Sequence, residues 1–143
     1  MNAYAWIGAE CHGNPGPAAV GVVLRKATGE LITTASEFLG RTTRNAADYQ
    51  ALIAALGLAK RFHVKRLVVY TDSVALLGQM DGVLKGRAKH LEPLIEMAGI
   101  LIKSYEDFRL ISIDKERNLE AGTLALRAID GGQAAAGGPP KAS

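Results

Sequence analysis

At 143 residues, 48% of them hydrophobic, the chain has room for one globular domain with its own core and too little for two. Seventeen Lys and Arg against fourteen Asp and Glu give a net charge of +3 and a pI near 9.1, a mild basic bias that suits a phosphate-bearing partner without demanding one. The single cysteine, Cys11, excludes an intramolecular disulfide, and no apolar run approaches the roughly 18 residues of a membrane span. With no basic, apolar leader at the N-terminus, a soluble protein of the reducing cytoplasm is expected, without membrane partners.

From Ala3 to Glu10 small and large apolar residues alternate, which predicts a strand. Gly13-Asn14-Pro15-Gly16-Pro17 then dictates a tight turn. Residues 19–26 and 30–38 are rich in β-formers and are joined by Ala27-Thr28-Gly29, so the first three strands should form an antiparallel meander. Between Asn45 and Phe62, the residues Tyr49, Leu52, Ile53, Leu56, Ala59 and Phe62 recur at three- and four-residue intervals, the period of an amphipathic helix. A β-branched run, Arg66 to Thr71, predicts a fourth strand, and Asp72-Ser73 opens a helix reaching about Met80.

A Gly- and Lys-rich connection, Asp81 to Lys89, leads to a helix over Leu91–Tyr105, with Pro93 tolerable in its first turn. Phe108–Ile113 alternates as a fifth strand, and Asn118 begins a last helix expected to stop at Gly131-Gly132. The remainder has too few large apolar groups to bury. The expected organisation is therefore a domain over 1–130 and a flexible tail over 131–143. Three meander strands followed by alternating helices and strands imply an α/β fold, a mixed five-stranded sheet with helices on both faces.

Gly13-Asn14-Pro15-Gly16-Pro17-Ala18, followed by a glycine-bearing strand, resembles the opening of ribonuclease HI proteins. Thr43-Arg44-Asn45-Ala46-Ala47-Asp48-Tyr49-Gln50-Ala51-Leu52 is similar to that family's T-N-N-x-A-E-Y-x-A-L helix start, and Thr71-Asp72-Ser73 matches its T/S-D-S. A weaker match is Asn118 to Ala125, similar to N-x-x-A-D-x-L-A. The resemblance implies a ribonuclease H-like fold, RNA-DNA hybrid as partner, and an endonuclease that cuts the RNA strand with two Mg²⁺ or Mn²⁺ ions clamped by four carboxylates. Several acidic oxygens must converge because two cations activate a water and stabilise the leaving oxygen.

The chain departs from that pattern where the resemblance places the carboxylates. The first falls on Gly8 and the fourth on Gly122, neither of which can ligate; the second has become Asp48, one methylene shorter; the third, Asp72, is intact. Glu10, two residues beyond Gly8 and hence on the same strand face, is the candidate substitute ligand. Glu120, about 200° around a helix from Gly122, is the weaker one. Asp48, Asp72 and Glu10 are thus the catalytic and metal-ligating candidates.

Each candidate has a bland alternative. An acid in the first turn of a helix is favoured by the helix dipole and the capping box without any metal, which suffices for Asp48; Asp72 sits where an N-cap Asp is common; Glu10 suits a solvated strand end. Glycine inside a helix costs roughly 1 kcal/mol relative to alanine, so Gly122 calls for a reason, and close packing is one. His12, His63 and His90 show no metal-ligand spacing.

Nucleic-acid contact is separable from cutting. The resemblance places Gly13, Asn14, Thr43 and Asn45 against the hybrid backbone and its 2′-hydroxyls, and Cys11 beside the minor groove. Arg44, replacing one of the family's asparagines, adds a phosphate-seeking charge. Lys85 and Arg87 lie where longer relatives carry a basic insertion, although a solvated loop explains them equally.

Three functions remain open at this level. One is a hybrid- or duplex-binding pseudoenzyme with an eroded metal site and weak or absent hydrolysis. Another is an active endonuclease that uses Glu10, better served by Mn²⁺ than Mg²⁺ because Mn²⁺ accepts a less ideal site. The last is a protein-interaction or dimerisation module, since fold and function separate readily.

Overall fold

A computed structural model of the chain describes residues 1–80 and 89–137, with side chains to 133. The five expected strands are β1 (Asn2–Cys11), β2 (Gly16–Lys26), β3 (Leu31–Thr42), β4 (Arg66–Thr71) and β5 (Asp107–Ser112). They form one sheet in the order β3-β2-β1-β4-β5. The meander pairs antiparallel, while β4 pairs parallel with β1 and β5 parallel with β4. The helices are α1 (Arg44–Arg61), α2 (Val74–Met80), α3 (Glu92–Ile102) and α4 (Leu119–Gly137). Among them no helix is long and apolar enough to cross a membrane.

The period of two along the strands sorts the two faces. Ala3, Ala5 and Ile7 of β1 and Val20, Val22 and Leu24 of β2 are buried in one core with Tyr49, Leu52 and Leu56 of α1. The alternate residues Gly8 and Gly21, paired across β1 and β2, face α4 instead. A Cβ on Gly21 would stand 2.3 Å from the Ala121 carbonyl oxygen and 2.9 Å from the Ala125 nitrogen. Glycine and alanine on both sides therefore bring helix backbone directly onto strand backbone.

Three boundaries differ from expectation. β3 runs on to Thr42 because a bulge opposite Ala18 and Ala19 absorbs an extra residue and Gly40 adopts φ +77. The helix expected over Leu91–Tyr105 ends at Ile102, and Tyr105 turns inward so that its hydroxyl donates to the Leu56 carbonyl of α1. α4 does not stop at Gly131-Gly132: it continues to Gly137, so the first part of the expected tail is helical. Gly132 explains the continuation, since a Cβ there would overlap the Phe38 ring; without one, the helix stays seated on β3. Within the helix predicted from Asn45, Tyr49, Leu52, Leu56 and Ala59 are buried, but Phe62 at its end is 38% exposed.

Candidate functional site

A cleft of about 380 Å³ opens at the C-terminal ends of the parallel pair β1 and β4, beside the start of α4. Its polar lining is Glu10 from β1, Arg44 from α1, Asp72 after β4, Lys115 and Asn118 ahead of α4, and Thr123 within it; Leu119 and Leu126 supply an apolar wall. Gly8 and Gly122 form part of the floor.

The two glycines meet there. A Cβ built on Gly8 would lie 2.8 Å from the Gly122 nitrogen and 2.9 Å from the Ala121 carbonyl carbon, closer than real Cβ contacts come. α4 thus stands where a side chain at position 8 would have to emerge. Gly122 itself has nothing within 4 Å of its would-be Cβ, so its glycine is not demanded by packing at its own position. The tight contact belongs to its backbone nitrogen, which bonds the Asn118 carbonyl at 3.1 Å in the first turn of α4.

Asp72 and Asp48 are drawn into structural hydrogen bonds. Asn118, 2% exposed, donates through Nδ2 to the Ile7 carbonyl at 2.7 Å and to Asp72 Oδ2 at 3.1 Å, tying β1, the end of β4 and the start of α4 together. Its Oδ1 is buried with no hydrogen-bond partner among the described residues. Asp48 Oδ2 accepts from the Ser73 hydroxyl at 2.8 Å, and the same hydroxyl accepts from the Leu76 amide. Burial pushes the Asp48 carboxyl up to about 6, opposed by the Ser73 hydrogen bond and the Arg44 charge and assisted by the charge of Asp72. Glu10 shares the cleft lining with Asp72. Glu120 is turned away, paired at 3.2 Å with Arg25.

These residues do not fit a pair of divalent cations. Among the described residues no three His, Cys, Asp or Glu side chains group as metal ligands. Two of the positions that would supply carboxylates are glycines pressed together, and Asp48 is half-buried with its carboxyl held above the usual range. Hard cations need several charged oxygens to repay their lost hydration.

The other side of the cleft is intact. The Gly13–Pro17 turn is closed by the His12 amide donating to the Pro17 carbonyl at 2.8 Å, with Gly13 at φ +102. Asn14 Oδ1 accepts from the Arg44 amide at 3.0 Å, and Arg44 Nη2 donates to the Cys11 carbonyl at 3.3 Å, so the turn is bolted to the start of α1. Thr43 is the N-cap of α1, accepting from the Ala46 amide at 3.2 Å, and its hydroxyl also lies 3.0 Å from His90 Nε2. Asn45 follows in the first turn, half-buried.

Cys11 is the exception among the contact candidates. It is 6% exposed and its thiol donates to the Gly13 carbonyl at 2.7 Å, so it braces the turn from inside and presents no side chain to a ligand. Lys85 and Arg87 lie outside the described residues. Sequence reasoning missed Ser73, Asn118, Lys115 and His90 as site residues. The motif pieces around Asp72 and Asn118 contained a signal for the first two; nothing local signalled that His90 would reach Thr43.

Residues 7–128 match the reverse transcriptase-like family. The chain is 32% identical over 127 residues to a ribonuclease HI of Halobacterium salinarum, covering 89% of this chain and 64% of that protein. It is 33% identical over 119 residues to a bifunctional protein of Mycobacterium tuberculosis, covering 82% of this chain and 33% of the relative. The chain therefore spans less than two thirds of either relative's length. Among solved structures, RNase H1 from Halobacterium salinarum superposes with a TM-score of 0.88 at 31% identity, over 92% of this chain and 99% of that one. LC11-RNase H1, solved in complex with RNA/DNA hybrid, gives 0.85 at 29% identity, over 91% and 98%. A turn bolted to α1, a mixed sheet in this order and these matches over nearly the whole described chain agree: the protein belongs to the reverse transcriptase-like family and has the ribonuclease H fold of ribonuclease HI.

Proposed function

We propose that this protein binds RNA-DNA hybrid, or a closely related duplex, through the Gly13–Pro17 turn and the start of α1, with hydrolysis weak or absent. The observation that carries this reading is the contact of Gly8 with Gly122: α4 backbone occupies the space a first carboxylate would need. Binding draws on groups that stand ready. The Gly13–Gly16 turn offers backbone amides, Asn14 and Thr43 supply neutral hydrogen-bonding groups, and exposed Arg44 with Lys115 supplies positive charge toward phosphate. A homologous RNase H1 was solved with RNA/DNA hybrid bound, which supports the same class of partner here.

A second reading has one observation in its favour: Glu10 and Asp72 line the same cleft. It makes the protein a metal-dependent endonuclease with Glu10 as substitute ligand. Cleavage of an end-labelled hybrid at low salt, in Mg²⁺ and in Mn²⁺, separates the two. The wild-type chain is expected to shift the hybrid in a gel without cutting it. Product that disappears in both Asp72→Asn and Glu10→Gln proteins would overturn the binding-only reading and establish the second.

A further inference from the structure

α4 packs on β1, β2 and β3 and leaves the same sheet face of β4 and β5 open among the described residues. Strand pairing arranges that face in rows. Arg25, Tyr4, Val68 and Arg109 lie across β2, β1, β4 and β5, and Val23, Trp6, Tyr70 and Ile111 form the next row. Paired residues on neighbouring strands project to the same side, here the side on which Gly8 and Gly21 meet α4. Tyr4, Trp6 and Tyr70 are only half-buried and Ile111 is 38% exposed.

The three rings make one continuous surface. Trp6 and Tyr70 stack with centroids 5.1 Å apart and Tyr4 and Tyr70 with centroids 6.0 Å apart, each pair inclined by 26°. Cations bound it. Arg25 and Arg109 end the first row, three strand spacings or about 14 Å apart, and in the row beyond Arg66 stands opposite the exposed Asp107. Arg25 and Arg66 are held by exposed carboxylates, Glu120 at 3.2 Å and Glu106 at 3.9 Å; pairs of this kind are weak enough for a phosphate to replace. The surface also adjoins the cleft, because Trp6, Arg25, Arg117 and Asn118 line a hollow under the start of α4, and Asn118 lines the cleft as well.

We infer that this face is a second binding site, for single-stranded nucleic acid, with bases stacked on Trp6, Tyr70 and Tyr4 and phosphates held by Arg25 and Arg109. Flat aromatic groups with arginines on two sides, Arg25 and Arg109, are what unpaired bases on a charged backbone require. An apolar protein partner would have no use for arginines at both ends of the row that carries Tyr4. The inference does not depend on whether the cleft binds hybrid.

Trp6 is the chain's sole tryptophan, so stacking can be read from intrinsic fluorescence. Titration of the whole chain with an oligothymidylate at low salt is expected to quench that fluorescence saturably, with affinity falling as salt is raised. Arg109→Glu, an exposed change on the edge strand, and Tyr70→Leu should each weaken binding about tenfold, while Tyr70→Phe binds as the parent does. Arg109→Glu should leave the gel shift of a blunt hybrid unaltered, which separates this face from the cleft. Binding without quenching, affinity unchanged in both Arg109→Glu and Tyr70→Leu, or no binding would overturn the inference. So would concentration-dependent self-association abolished by Arg109→Glu, which would make the face an interface between copies of the chain.

Discussion

The two sides of the cleft hold their positions by opposite means. On the turn side, polar side chains do the joining: Asn14 takes the Arg44 amide, Arg44 takes the Cys11 carbonyl, and Thr43 caps α1. On the α4 side, the absence of side chains does it, with Gly8 and Gly21 admitting the backbone of Ala121, Gly122 and Ala125. The first arrangement leaves donors and a cation available to a ligand; the second fills its space with main chain.

The contrast is broken most forcefully at Gly8. Gly8→Asp must push α4 away from β1, against contacts of 2.8 to 3.0 Å to backbone atoms of Ala121 and Gly122, and it buries a carboxylate in the process. A loss of about 3 kcal/mol is expected, read from urea unfolding, with no gain of cleavage. A variant as stable as the parent would show that α4 yields readily and that position 8 was never closed to an acid.

Asp48 gives the next largest effect, and its sign follows from the direction in which burial moves the carboxyl. The group is raised from 3.8 to about 6, so the folded state holds the proton more tightly than the unfolded chain. Its contribution to stability is full below about pH 4, falls as pH rises through 6, and is gone above that. Asp48→Asn, which can still accept from Ser73, should flatten this part of the pH profile. At pH 7 it should gain as much as about 3 kcal/mol, since each tenfold difference in proton affinity between the folded and unfolded chain is worth about 1.4 kcal/mol. Thermal melts from pH 4 to 8 on both proteins test it; parallel profiles would mean that Asp48 titrates normally.

On the turn side, Thr43→Ala removes the cap on the Ala46 amide and the contact with His90. The expected loss is about 1 kcal/mol, by chemical denaturation, accompanied by weaker hybrid binding in the gel shift. Unchanged binding by a folded variant would move the contact surface away from the start of α1.

Local pattern made much of this legible. The strand alternation, the three- and four-residue spacing of Tyr49, Leu52 and Leu56, and the turn chemistry of Gly13–Pro17 act over a few residues, and each led to the observed element. The β3 bulge escaped because its cause is the register against Ala18 and Ala19. The run of α4 past Gly131-Gly132 escaped because two glycines read locally as a stop, whereas Gly132 serves packing on Phe38. Within the site, Asp72 and Asp48 could be found from their motifs, but their partners depend on distant chain: Asn118 is 46 residues from Asp72, and His90 is 47 from Thr43. That the family's carboxylate positions would fall on Gly8 and Gly122 was read from the resemblance; that the two glycines meet is a tertiary fact.

The touching makes the two glycines unequal, which the mildest substitution can expose. Gly122 has open space where a Cβ would stand and lies in the first turn of α4, where a carboxylate favours the helix dipole and any side chain spares the entropy that glycine loses. Gly122→Asp should therefore fold normally and gain about 0.5 kcal/mol, the nearby charge of Asp72 limiting the benefit. Hybrid incubated with it in Mg²⁺ should stay intact, because position 8 still offers only backbone. Metal-dependent cutting by this single variant would reverse the ranking: the loss at 122 would then be what silences the site, and the closure over Gly8 a packing detail the reaction can tolerate.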